Sequence, residues 1–485
     1  MRMLFSRFAR TTDSVTKSAT NSATNTASAE LVEARSSALR HTVNRPSTSS
    51  GLAVLVAGLA FSTLSFTTPA FAQDVAITGG KVIIGDGSAP LEGATVIVRG
   101  GKVASVTQGG APAGLPVVDA SGKWVTPGIV AGFSRIGLME VEAVSQVNDM
   151  SAPRSPFTAA IDVSPALSPF GIPVPYARSA GITRALVFPG SSSGLFSGQG
   201  AVVDLGNDNN MLTRPRAFQY VEFGESGARK AGGSRSATFL TFRAMLQEAR
   251  DYARNPAAYD GRSKDSMLLR ADAEALGQVI NGNQRLMVKV NAANDILQVL
   301  RLKQEFPAIK MTLVGASEGW RVAREIAAAG TPVIASAVRD LPDDFEARGA
   351  TQSNIGRMRA AGVKVAIGQI DDEETLRMNY TTQYAGNLVA LTRVPGASGL
   401  SWDQAFATIS SAPAEAVGMA GQLGVLKGGA VGDVVIWSGD PLELSSHAEK
   451  VFIDGVEQPL QTRQQRLRDR YRNPTEGALP KAYDW

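Results

Sequence analysis

The fold is decided by residues 286–315, which read LMVKVNAANDILQVLRLKQEFPAIKMTLVG. The apolar run from Leu286 to Val290 predicts a buried strand, and residues 294–306 predict a helix that Pro307 ends. Residues 311–315 predict the next strand. A strand, a helix and another strand in such a short stretch are typical of a βαβ unit with parallel strands.

The same alternation continues on both sides of this unit. We predict strands at residues 180–189, 331–337 and 363–368, and helices at residues 237–254, 318–329 and 354–361. Residues 126–420 have room for eight such units. The sequence therefore favours the α/β class and a (β/α)8 TIM-like barrel, with a doubly wound sheet as the alternative.

The segments on either side of this central region have a different sequence pattern. Residues 73–125 and residues 421–460 consist of short alternating apolar segments separated by Gly-Asp and Asp-Gly turns. Two such regions flanking a barrel predict one small β domain that the two ends of the chain build together. Residues 461–485 form a basic tail with five arginines in TRQQRLRDRYR, for which we expect a solvated helix or a docking helix.

The first 72 residues predict export. An uncharged run, GLAVLVAGLAFSTLSF, spans residues 51–66 and is followed by Ala70-Phe71-Ala72, an A-x-A cleavage pattern. We interpret residues 1–72 as an extended n-region and a secretory signal peptide, and expect a periplasmic or secreted protein beginning at Gln73. An uncleaved anchor helix is the alternative, although the run is short for a membrane span.

Composition excludes several classes of function. The chain has no cysteine and two histidines, His41 and His447, so zinc ribbons, Fe–S clusters and thiol nucleophiles are excluded. The net charge of +4 comes entirely from the first 72 residues, which carry seven Lys or Arg and three Asp or Glu. We therefore expect no nucleic-acid partner, and no stable membrane insertion after signal cleavage.

Three segments resemble a known family. Residues 118–130 (VDASGKWVTPGIV), residues 421–437 (GQLGVLKGGAVGDVVIW) and residues 451–455 (VFIDG) are similar to segments of the amidohydrolase superfamily. The similarity is to its imidazolonepropionase-like and dihydroorotase-like periplasmic members. It implies a metal-dependent hydrolase barrel with a composite β-sandwich, and activity on C–N bonds of cyclic amides or small peptides.

The resemblance also implies zinc or another divalent metal, held by side chains at the ends of barrel strands. In this sequence the ligand positions hold residues that do not suit a metal, and the fourth-strand ligand is left unassigned. These residues are Phe133, Arg135, Lys289, Gly315 and Ile370. Arginine and lysine are cationic in their usual state and do not ligate metals. We therefore expect no metal and no other cofactor.

Two further patterns in the sequence could carry other chemistries. A carboxylate-only Mg²⁺ or Ca²⁺ site could use the acidic run at residues 371–374, although such a run is more often a solvated loop. Gly190-Ser191-Ser192-Ser193-Gly194 matches the G-x-S-x-G pattern of serine hydrolases. The glycine-rich and strand-like residues that follow favour a loop at the barrel mouth instead.

The pocket candidates are Arg135, Lys289, Glu140, Glu318 and Asp371. Buried cations need partners, so we expect one of the three carboxylates to pair with Arg135 and Lys289 in place of the metal. The sequence favours a non-catalytic partner subunit or ligand-binding module, in a homo- or hetero-oligomer that could include a catalytically intact paralogue. The alternative is a hydrolase with an unusual or partner-completed site.

Overall fold

The computed structural model describes residues 73–141, 144–259, 266–337, 339–370 and 378–472. The first strands are β1 (Val75–Val82), β2 (Leu91–Arg99), β3 (Lys102–Gln108), β4 (Val117–Asp119) and β5 (Trp124–Pro127). Next come β6 (Ile129–Ser134), β7 (Ile182–Val187), β8 (Phe196–Asp204), β9 (Leu212–Glu222), β10 (Arg285–Val290), β11 (Met311–Gly315), β12 (Val333–Ala335) and β13 (Val365–Ile367). The last are β14 (Val434–Trp437), β15 (Ala448–Ile453) and β16 (Val456–Glu457).

The helices lie mostly in the central region. They are α1 (Pro173–Ser179), α2 (Gly224–Lys230), α3 (Arg235–Arg254), α4 (Arg270–Ile280), α5 (Ala293–Glu305), α6 (Ala323–Ala328), α7 (Asn354–Ala360), α8 (Thr381–Ala390), α9 (Trp402–Ala407), α10 (Ser411–Ala416) and α11 (Arg463–Arg472). The longest, α3, begins at Ser234, whose side chain accepts a hydrogen bond from the backbone N–H of Ala237. Its buried face carries Phe242, Leu246 and Ala249 at helical spacing.

Strands from both ends of the chain share one sheet. Its order is β16-β15-β14-β5-β1-β2-β3, with β4 also paired to β1. The connection between the two ends is the antiparallel pairing of β5 with β14, in which Val435 lies opposite Thr126. These strands form one continuous hydrogen-bonded sheet, and its arrangement as a β-sandwich domain stays a prediction.

The central strands form an eight-stranded barrel sheet in the order β13-β12-β11-β10-β9-β8-β7-β6. The ring is nearly closed, because β6 and β13 lie side by side. A Cβ atom added to Gly132 on β6 would be 2.3 Å from the carbonyl oxygen of Ile367 on β13. Glycine is therefore needed at this contact.

The barrel departs from a regular (β/α)8 arrangement at its third strand. β8 is antiparallel to both β7 and β9, whereas the other neighbouring pairs are parallel. The cause is the length of the connections: residues 188–195 and 205–211 are too few for a helical crossover, which takes a dozen residues or more. The expectation of eight regular βα units is therefore wrong at this strand.

A buried arginine joins the two sheets. Arg184 lies on β7 with 2% of its side chain exposed, and its guanidinium pairs with Asp433, just before β14. The same guanidinium contacts Asp454 in the turn between β15 and β16, at 2.6 Å. Burying a cation requires such partners, so this cluster fixes where the terminal sheet packs on the barrel.

Every residue of the C-terminal helix α11 is exposed to solvent. It therefore forms as a solvated helix. None of the described helices combines the length and the apolar character that a membrane span requires.

Candidate functional site

The candidate site is the barrel mouth, where the parallel strands end. In barrel enzymes the reacting groups stand at this end of the strands. Phe133 lies near the end of β6, Lys289 on β10, Gly315 at the end of β11 and Ile370 after β13. These are four of the positions for which the family resemblance implies metal ligands.

Phe133 belongs to an aromatic cluster that fills the barrel below the mouth. Its ring stacks on Phe188 with 4.3 Å between the ring centroids, and Tyr220 meets Phe188 edge to face at 5.3 Å. All three side chains are at most 1% exposed. We call Phe133, Phe188 and Tyr220 the aromatic plug. Its rings fill the space that the imidazole of a metal-ligating histidine would occupy.

Ile370 closes the plug on the side of β13. A Cβ atom built on Gly368 would be 2.9 Å from Cβ of Phe133 and 3.4 Å from Cγ1 of Ile370, so both side chains flank this glycine. Ile370 is 4% exposed. An aliphatic side chain here offers no lone pair to a metal, and it removes water from the plug.

Gly315 has a backbone that excludes a ligand side chain. Its φ is +95°, a conformation that residues with a Cβ atom rarely adopt. An added Cβ would also be 2.3 Å from Oδ1 of Asn291. Asn291 is held there because its Oδ1 accepts a hydrogen bond from the Ser317 hydroxyl at 3.2 Å. The position is therefore closed to histidine by both conformation and contact.

Arg135 lies beside the plug without a carboxylate partner among the described residues. Its guanidinium carbon is 5.8 Å from the centre of the Phe133 ring, and Nη1 is 4.0 Å from the sulfur of Met150. Nε is buried and has no hydrogen-bond partner within the same described part of the chain. An arginine over an aromatic face gains a cation–π attraction, which partly offsets its burial.

Lys289 stands next to a carboxylate that the sequence analysis did not single out. Glu222 ends β9 and lies in direct register with Lys289 on β10. Lys230 of α2 donates to Glu222 Oε2 at 2.9 Å, and the Ser226 hydroxyl donates to the same oxygen at 2.6 Å. We call Glu222, Lys230 and Lys289 the mouth charge cluster.

The groups around Glu222 lower the pKa of its carboxyl group. Burial raises the pKa of Glu222, but the charge of Lys230, the hydrogen bonds from Ser226 and Lys230, and the charge of Lys289 outweigh burial. The net result is a pKa below the ordinary glutamate value. Glu222 is thus an ionised carboxylate at neutral pH, bonded to the Lys230 ammonium and stabilised by the charge of Lys289.

The carboxylates that we expected beside Arg135 and Lys289 are engaged elsewhere. Glu318 Oε2 accepts from the backbone N–H of Ala293, at the start of α5, and Oε1 accepts from Gly349 N–H. Glu140 is exposed and accepts from the Ser168 hydroxyl at 3.2 Å. The expected pairing is therefore wrong for these two, because backbone donors and surface loops take them; Asp371 lies outside the described residues.

These residues do not fit a divalent metal. The implied ligand positions supply two hydrocarbon side chains, one glycine and two cations, none of which ligates. Within residues 73–141, 144–259, 266–337, 339–370 and 378–472, histidine and carboxylate side chains form no group of three or more that could hold an ion. The acidic run at residues 371–374 lies outside these ranges.

The G-x-S-x-G segment is a loop. Ser192 is buried, and its hydroxyl donates to the carbonyl oxygen of Phe196. Strand β8 follows, where a nucleophile elbow requires a helix. Nδ1 of His447 lies 3.1 Å from the hydroxyl of Ser438, which follows β14, so this histidine does not act on Ser192.

Comparison with known proteins supports the fold. No protein-family model matches the chain. A curated relative, the amidohydrolase tasK of Hapsidospora irregularis, is 24% identical over 377 residues, which cover 70% of this chain and 37% of the relative. The chain thus matches little more than a third of that relative's length.

Two solved structures share the architecture. An amidohydrolase from Thermotoga maritima superposes with a TM-score of 0.69 at 23% identity, covering 79% of this chain and 99% of its own. Molinate hydrolase gives a TM-score of 0.51 at 15% identity, covering 84% and 98%. At these identities the likeness concerns the fold.

Proposed function

We propose that this chain, a member of the amidohydrolase superfamily, is a periplasmic protein that has lost the family's metal site. It serves as a non-catalytic partner subunit or ligand-binding module. The aromatic plug carries the proposal. A metal that activates water needs several neutral imidazole or carboxylate ligands around an open coordination position. Phe133, stacked on Phe188, puts hydrocarbon in that place.

The experiment is metal analysis of the protein after incubation with zinc, manganese or iron and extensive dialysis. We expect less than stoichiometric metal and a melting temperature that a chelator leaves unchanged. The His447→Ala variant is the matched control, because it removes the histidine that could hold zinc at the surface. One tightly held metal per chain in both proteins would contradict the proposal.

Exposed apolar side chains in loops that follow barrel strands support a partner role. Leu341 and Phe345, after β12, are 76% and 80% exposed, and Phe170, after β6, is 75% exposed. Exposed apolar groups on a rim of the molecule favour protein association. Leu341→Ser with Phe345→Ser should abolish an oligomer that light scattering detects. Leu444→Ser, also at an exposed position, should leave it intact.

The second candidate is a hydrolase of C–N bonds in cyclic amides or small peptides, with an unusual or partner-completed site. The mouth charge cluster favours it, because a buried carboxylate between two lysines stands where barrel enzymes keep reacting groups. Loss of a measurable amide hydrolysis in Lys289→Ala, with the fold intact by circular dichroism, would support this candidate and remove the first.

Export is part of the proposal. Its support is the apolar run at residues 51–66 followed by Ala70-Phe71-Ala72. N-terminal sequencing of protein from the periplasmic fraction should begin at Gln73. Cytoplasmic protein that retains residues 1–50 would contradict it.

A further inference from the structure

A cavity of about 490 Å³ lies at the opposite end of the barrel from the mouth. Its wall is formed by residues that precede β12 and β13, by Glu415 of α10 and residues after that helix, and by Arg285, the first residue of β10. The volume is in the range of small-molecule sites.

Arg285 presents one edge of its guanidinium to this cavity. Nη1 donates to the carbonyl oxygen of Met311 and to the Thr312 hydroxyl, each at 3.2 Å, which fixes the orientation of the group. Nε and Nη2 form the other edge, and the described residues supply no acceptor for either. Two parallel N–H groups on a fixed guanidinium match the two oxygens of a carboxylate or phosphate.

Gly418 keeps this edge open. A Cβ atom there would be 3.6 Å from Nη2 and 3.7 Å from Nε of Arg285, so any side chain would stand in front of the two donors. Its φ of +79° also favours glycine. The approach to Arg285 is therefore unobstructed on the cavity side.

Two cationic side chains, Arg285 and Lys364, and one carboxylate, Glu415, line the cavity, so the net charge of its wall is positive. Its carboxylate, Glu415, is engaged by Lys364 at 2.7 Å. Lys303 stands behind the wall, where its ammonium donates to the Ala329 carbonyl and the Thr331 hydroxyl. Burial, together with nearby Arg214, lowers the pKa of Arg285, and burial with Arg285 lowers that of Lys303. Neither cation forms an ion pair with a carboxylate of the described residues.

We propose that this cavity binds a small molecule through a carboxylate or phosphate group, held by Nε and Nη2 of Arg285. The positive charge of Lys303, behind the cavity wall, adds to the attraction for the anion. The site is separate from the barrel mouth, so it does not depend on whether the protein is catalytic.

The test is titration of the full chain with inorganic phosphate and with succinate, by calorimetry at constant ionic strength in chloride buffer. We expect saturable binding of one anion per chain for at least one probe, and the preferred probe identifies the oxyanion. Arg285→Lys keeps the charge but loses the paired donors, so its affinity should fall about tenfold. Glu415→Gln removes the negative charge from the wall and should tighten binding about threefold.

The matched control is Glu457→Gln, which removes the carboxylate of a surface pair with Lys450 in the terminal sheet and should leave affinity unchanged. Absence of saturable binding for both probes, or equal binding by wild type and Arg285→Lys, overturns the proposal. If Arg285→Lys does not fold, the affinity of Glu415→Gln tests the proposal instead. Tighter anion binding than in wild type supports the proposal, and unchanged or weaker binding overturns it.

Discussion

Arg184 and Asp433, 249 residues apart in the chain, form a two-pronged ion pair in the interior of the protein. Nε of Arg184 is 2.8 Å from Oδ2 of Asp433, and Nη2 is 3.0 Å from Oδ1. Both side chains are at most 3% exposed. Since Arg184 belongs to the barrel and Asp433 to the terminal sheet, this pair connects regions that the sequence places far apart.

Asp433→Asn should destabilise the protein by about 3 kcal/mol, because it leaves the buried guanidinium with a weaker partner. Asp454→Asn, at the same guanidinium, should cost much less. Asp454 is about half exposed, and its φ of +48° suits asparagine. Urea unfolding at neutral pH measures both, and equal losses would contradict the central role of Asp433.

The pH dependence of the Asp454 variant has a definite sign. Its partial burial, followed by the charge of Asp433, raises the pKa of Asp454 above its ordinary value of 3.8. The folded state therefore holds this proton more tightly than the unfolded state, and wild type loses stability as pH rises through that interval. The stability difference, wild type minus Asp454→Asn, should decrease from about pH 3 to neutrality. A stability difference that increases with pH would mean that folding lowers the pKa of Asp454.

Gly315→Ala should destabilise far more than Gly232→Ala. Both glycines have a positive φ, +95° and +92°, so the conformational cost of about 1 kcal/mol is shared. A Cβ atom at Gly232 meets no atom within 4 Å, whereas at Gly315 it meets Asn291 Oδ1 at 2.3 Å. We expect an additional loss of about 2 kcal/mol at Gly315. Equal melting temperatures for the two variants would show that the contact relaxes freely.

The sequence predicted the local elements of the barrel well where periodicity is strong. The strand predicted at residues 311–315 coincides with β11, and the helix predicted at residues 294–306 matches α5 within one residue at each end. The direction of β8 was missed. Strand direction depends on the length of the connections, and the apolar pattern of residues 196–204 is the same in either direction.

The candidate site was predictable only at single positions. Phe133, Gly315 and Ile370 could be assigned from their strands, but their neighbours across the barrel could not. Phe188 and Tyr220 contact Phe133 inside the nearly closed barrel, which no single segment predicts. The register that places Glu222 beside Lys289 likewise cannot be read from either strand alone. The signal that could have found Glu222 is its place at the carboxyl end of the fourth strand.

Phe133→Ala should cost about 3 to 4 kcal/mol, because it removes a fully buried ring from the aromatic plug and leaves a cavity. Phe157→Ala is the control. Its ring is 44% exposed, so the loss should be below about 1 kcal/mol. Chemical denaturation of both variants, with amide hydrolysis assayed in parallel, gives the comparison. A Phe133→Ala variant as stable as wild type would mean that the plug is not a packed core.

Glu222→Gln tests the mouth charge cluster through its pH dependence. Replacing the carboxylate leaves Lys230 and Lys289 close together without their shared anion, so we expect a loss of about 3 kcal/mol at neutral pH. Because the folded pKa of Glu222 is below its unfolded value, the stability from its ionisation is present above about pH 4.5 and lost as pH falls through the folded pKa.

The stability difference between wild type and Glu222→Gln should therefore shrink below about pH 4.5. Glu305→Gln is the matched control, since Glu305 pairs with Arg243 at the surface and both side chains are at least 40% exposed. Its loss at neutral pH should be below about 1 kcal/mol, because water and salt screen an exposed pair. Unfolding curves collected from about pH 7 down to about pH 3 provide the measurement. A difference for Glu222→Gln that stays constant over this range would mean that folding leaves the pKa of Glu222 unchanged, so that the two lysines do not stabilise its charged form.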